Sequence, residues 1–202
     1  MSLRAGKPHS LRVLGVDPGL TRCGVGVVDV ARDRTATLVT VEVIRTSKDD
    51  PLEKRLVEIA EGVERVLDEF APDAVALERV FAQQNLNTVM GVAQASGVVL
   101  LVAARRGLAV GMHTPTEVKA ALTGYGSADK KQLGAMVARV LRLDEVPKPA
   151  DASDALALAI CHAWRGGALQ APALWSLTPA QEAWRAAERS ARSASADRRL
   201  GS

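Results

Sequence analysis

Two apolar runs, "LRVLGV" before Asp17 and "CGVGVVDV" after Arg22, are separated by a link of a few residues that begins Asp17-Pro18-Gly19. A connection that short folds back on itself, because parallel neighbours need a crossover of a dozen residues or more. A third run, "TLVTVEVIRT" (Thr37 to Thr46), alternates apolar and polar residues, the mark of a half-exposed strand. The chain therefore begins as a three-stranded antiparallel meander. Its first strand ends on a carboxylate.

From there the periodicity changes. Leu52, Leu56, Ile59, Val63, Val66 and Phe70 recur at helical spacing, with Asp50 expected as N-cap and Pro51 at the first helical position. "PDAVALE" reads as a short buried strand ending in Glu78. A long apolar helix follows, capped by Asn85 or Asn87 and ending near Arg105-Arg106. "GLAVGMH" is a fifth strand, "PTEVKAAL" a short helix, and "ADKKQLGAMVARVLRL" a helix capped by Ser127. "DASDALALAICHAW" is a last helix, stopped by Gly166-Gly167. The order βββ-α-β-α-β-α-α-α predicts an α/β fold, a mixed five-stranded sheet flanked by helices on both faces.

Composition narrows the class. With 48% apolar residues but only 3% aromatics, the core is aliphatic and suits helices on a sheet. Cys23 and Cys161 stand far apart and match no zinc spacing, so a reducing, cytoplasmic location is expected. "VMGVAQASGVVLLVAA" is too short and too polar for a membrane span, and no membrane association is expected. Net charge is +3, of which residues 168–202 supply +2 through five arginines against three acids. Nucleic-acid binding thus has to rest on local patterning and not on net charge. The expected organisation is an arm (1–10), one folded body (11–167) and a flexible or partly helical basic tail (168–202).

Each acidic residue has an ordinary reading alone. Asp17 suits a turn, Glu78 could pair with a neighbouring base, and Asp151 and Asp154 could cap a helix. Together they differ. Asp17 and Glu78 end two strands, where open α/β sheets place their sites. Asp151 and Asp154, three apart, share one face of a helical first turn. If that turn docks on the strand tips, four carboxylates converge, a set that divalent cations neutralise and whose oxygen-only chemistry suits Mg²⁺ or Mn²⁺.

"LGVDPGLTRCGVGVV", "VALERVFAQQN", "TPTEVKAALTGYGSADKKQ" and "PADASDALALAICH", in this order, resemble the RuvC family of Holliday junction resolvases, whose fold is ribonuclease H-like. The resemblance spans roughly Leu11 to Trp164. It implies a catalytic, metal-binding tetrad of Asp17, Glu78, Asp151 and Asp154, and two Mg²⁺ ions that Mn²⁺ can replace. It further implies basic residues at the site and on DNA, Lys119 and Lys130, and an aromatic, Phe81, that stacks near the junction centre. Arg79 stands where many relatives have glutamine and adds a DNA-facing charge, as does Lys131. A four-way DNA junction as substrate, a homodimer, and cooperation with the RuvA–RuvB branch-migration complex are implied as well. His162, two turns beyond Asp154, reads as a packed helix histidine.

Overall fold

The structure, a computed structural model, describes residues 10–79 and 86–166, with side chains from residue 89 onward in the second stretch. Phe81, the Asn85 cap, nearly all of the arm and the whole 168–202 tail lie outside the described residues, while Asn87 falls in the first turn of the helix Leu86–Arg105 and not ahead of it. Strands β1 (Ser10–Asp17), β2 (Arg22–Ala31) and β3 (Ala36–Arg45) form the expected antiparallel meander. The free edge of β1 takes β4 (Ala74–Glu78) in parallel, and β4 takes β5 (Ala109–His113), giving the order β3-β2-β1-β4-β5. The parallel links are long because each contains a helix, α1 (Leu52–Phe70) or α2 (Leu86–Arg105). Helices α3 (Pro115–Thr123), α4 (Lys130–Leu141) and α5 (Ala150–Trp164) complete the chain's described part.

Strand alternation separates two cores. Leu14, Val16, Val25, Val27, Val75 and Leu77 pack with Ile59, Val63 and Val66 of α1 and Val99 and Ala103 of α2. Val13, Val28, Val30 and Ala76 pack instead with α3, α4 and α5. Residues 155–161 of α5 are all buried, and the helix lies between the sheet and its two companions. A helix so enclosed is apolar on every side, which is why "ALALAIC" shows no polar stripe.

Two expected caps are corrected. Pro51, not Asp50, occupies the N-cap of α1, and the Asp50 carboxylate takes the Lys54 ammonium at 2.8 Å. Helix α4 is capped by Asp129 and not by Ser127. Asp129 Oδ1 accepts from the Gln132 amide at 2.8 Å while Gln132 Oε1 accepts from the Asp129 amide at 2.9 Å, a reciprocal pair that serine cannot outcompete here. The last helix stops at Trp164, and Gly166 follows with φ +108°, close to the expected glycine stop.

Candidate active site

Side chains alternate across a sheet, so Val13, Gly15 and Asp17 share the α5-facing side of β1. On β4 the same face carries Ala76 and Glu78. The parallel register pairs Val16 with Leu77, which sets Asp17 and Glu78 side by side at one end of the two central strands.

Glycines let α5 reach them. A Cβ on Gly15 would fall on the Ala155 carbonyl oxygen, and one on Gly24 would fall on the Asp151 carbonyl oxygen. Gly24 is the hairpin partner of Asp17, so the first turn of α5 is seated directly beside that carboxylate. Pro149 precedes the helix and no side chain caps it. Asp151 and Asp154 are therefore not capping acids.

Electrostatics shows that the four carboxylates share one field. Burial, followed by the charges of Glu78, Asp154 and Asp151, pushes the Asp17 carboxyl up to about 7, with Lys130 acting in the opposite direction. Burial and then Asp154 raise Glu78, again opposed by Lys130. Lys130 itself is raised, chiefly by its hydrogen bond to Asp154 and then by the Asp154, Asp17 and Glu78 charges. Its ammonium lies 3.0 Å from Asp154 Oδ2. Across the cluster, Arg22 Nε lies 3.0 Å from Asp151 Oδ2, an ion pair without hydrogen-bond alignment.

The donor set fits a hard divalent cation. All four groups are carboxylates, they repel one another, and Asp151 Oδ2 is buried with no hydrogen-bond donor. Among the described residues no three acidic, histidine or cysteine side chains already form a closed cation cage. Asp154 and Asp151 are engaged by Lys130 and Arg22 instead.

Of the basic residues singled out in the sequence, Lys130 reaches the acids. Lys131 is exposed one residue on, and Arg79 is exposed immediately after Glu78. Lys119 is half-buried in α3, and the charges acting on Asp17 and Glu78 do not include it. Arg22 was not legible as a site residue, its only signal being a cation in the turn that follows Asp17. His162 is packed as expected, but its partner is unforeseen. His162 Nδ1 lies 3.0 Å from His113 Nε2, over Gly111, where any Cβ would collide with the ring. Burial and then the His162 charge lower His113 to about 4, so one neutral ring donates to the other at neutral pH.

A mixed sheet in this order, with acids at the tips of its two adjacent strands and a third acidic element laid across them, defines the ribonuclease H-like fold. The family model Crossover junction endodeoxyribonuclease RuvC matches residues 13–162, and the chain belongs to that family. The RuvC of Leifsonia xyli subsp. xyli is 65% identical over 205 residues, covering 95% of this chain and 99% of that one. The RuvC of Pseudarthrobacter chlorophenolicus is 59% identical over 190 residues, covering 92% and 99%. Among solved structures, T. thermophilus RuvC in complex with Holliday junction substrate superposes with a TM-score of 0.74 at 39% identity, covering 77% of this chain and 94% of that chain.

Proposed function

We propose that this chain is a structure-specific endonuclease that resolves four-way DNA junctions in recombination and repair, nicking two symmetry-related strands. The convergence of Asp17, Glu78, Asp151 and Asp154 in one field carries the reading. The T. thermophilus relative described with a Holliday junction substrate supports it. Two Mg²⁺ ions, replaceable by Mn²⁺, would be held by the four carboxylates, Asp17 among them at the tip of the rigid central strand. Ions held there would supply an activated water and charge neutralisation at the leaving 3′ oxygen, the chemistry that would give 5′-phosphate and 3′-hydroxyl ends.

The chain's own residues do the rest. Lys130 sits where a phosphate oxygen enters the acidic field, and can exchange its Asp154 contact for phosphate once that carboxylate is neutralised. Lys119, Lys131 and Arg79 extend the phosphate contacts, and Phe81 stacks on a base of the opened junction. Cleavage of a four-way junction, compared with a linear duplex of the same sequence, with and without Mg²⁺, tests the reading. Metal-independent cutting, or equal cutting of both substrates, overturns it.

Two symmetric nicks call for a homodimer with matching sites. Met90, Ala93, Gly97 and Leu101 line one exposed face of α2 at helical spacing, and Met90 and Leu101 are each more than half exposed. That apolar stripe supports a two-fold contact. Leu101→Glu is expected to shift the protein to monomer in sedimentation velocity and to uncouple the paired nicks, with the melting temperature of the fold little changed. We assign the chain to the cytoplasm, working with the RuvA–RuvB branch-migration complex. No described helix is long and apolar enough to cross a membrane.

A further inference from the structure

Beside the acidic cluster, the β1–β2 turn, the approach to α1 and the α2 surface enclose a groove of about 530 Å³. Arg22, Lys48 and Arg55 line it, together with Gly91 and Asp151. Arg22 is shared with the acids through its Asp151 contact. Lys48 is exposed and forms no ion pair among the described residues. Arg55 is the unusual member. It is half-buried, yet among the described residues its guanidinium hydrogen-bonds only to hydroxyls, Nε donating to Thr46 Oγ1 and Nη2 to Thr21 Oγ1, each at 2.9 Å. Thr46 is itself buried and donates to the Leu20 carbonyl oxygen, so the fork is held by a fixed neutral frame.

Two hydroxyl contacts use two of the five guanidinium N–H groups, and no carboxylate among the described residues balances the charge. A partly buried cation without a counter-ion is unfavourable by itself. Orientation without neutralisation is what an anion site requires, and a planar fork matches two phosphate oxygens. Gly91 brings no side chain to that wall. Because Asp151 and Arg22 belong to both the groove and the acidic cluster, the anion held there is a near neighbour of the bond to be cut.

We propose that Arg55 and Lys48, with Arg22, bind a phosphodiester of the junction strand on the α1 side of the acidic cluster. This rests on the resolvase reading and adds to it a second anchor that fixes the direction in which the strand crosses the site. The test is fluorescence anisotropy of junction binding by the full chain in EDTA, across a salt series, with melting temperatures measured alongside. Lys48→Ala and Arg55→Ala are each expected to lower affinity severalfold and to flatten the logarithmic salt slope by about 0.7–0.9 per lost contact. Arg55→Lys keeps a charge without the fork, so it is expected to retain most of the slope while losing affinity. If Arg55→Ala does not fold, Lys48→Ala and Arg55→Lys decide the matter. Parent-like affinity and slope in the folded variants would overturn the proposal and leave Arg55 as a staple between the hairpin turn and α1. Displacement of the junction from the parent by millimolar inorganic phosphate, but equally from Lys48→Ala and Arg55→Ala, would also overturn it. A parent chain that binds no junction removes the resolvase reading itself, a result distinct from either.

Discussion

Asp17→Asn is expected to lower single-turnover junction cleavage by several orders of magnitude and to leave junction affinity intact or slightly increased. The substitution removes the charge of a carboxylate at the centre of the acidic field, the proposed metal site, with almost no change of shape. DNA affinity rests on cations elsewhere, and one repulsive charge is gone. A second effect has a definite sign. The Asp17 carboxyl is held at about 7 in the fold against an ordinary 3.8, so the native state binds its proton more tightly than the unfolded chain does. Stability of the metal-free protein therefore falls as pH rises from about 4 through 7, and the loss is complete above that range. Its size is on the order of a few kcal/mol. Metal-free Asp17→Asn should consequently melt higher than the parent at pH 8 and no higher at pH 4, and added Mg²⁺ should raise the parent's melting temperature more than the variant's. Near-normal cutting by this variant would remove Asp17 from the reaction.

Gly24→Ala is expected to cost activity through position and not through chemistry. The added methyl would occupy the place of the Asp151 carbonyl, backbone that no rotamer change can clear. Either α5 or the hairpin must move. Over-packing of this kind costs typically about 1–3 kcal/mol, and the lowered melting temperature should show it. A displacement near 1 Å at catalytic groups can cost ~10²-fold in rate, so cleavage should fall by about that factor while the four carboxylates remain in the sequence. A drop in melting temperature with unchanged cleavage at a permissive temperature would show that the α5 turn adjusts without carrying Asp151 away from Asp17.

The meander, the crossover helices and the strand ends were legible because their signals are local. Alternation places Asp17 and Glu78 on a determined face of their strands, and a spacing of three places Asp151 and Asp154 on one side of a helix. The caps of α1 and α4 were legible only to within one or two residues. Asp50, Ser127 and Asp129 are all acceptable cap residues, and the choice fell to Lys54 and Gln132, which compete for or complete the hydrogen bonds. The individual long-range pairings could not be read from local pattern. Arg22 with Asp151, Lys130 with Asp154 and His113 with His162 pair residues far apart in the chain. Arg55 acquires its hydroxyl frame only when α1 returns to the hairpin turn. These pairings depend on which face of a helix meets the sheet and how closely. That is decided by the absence of side chains at Gly15 and Gly24, whose effect exists only once α5 lies against them.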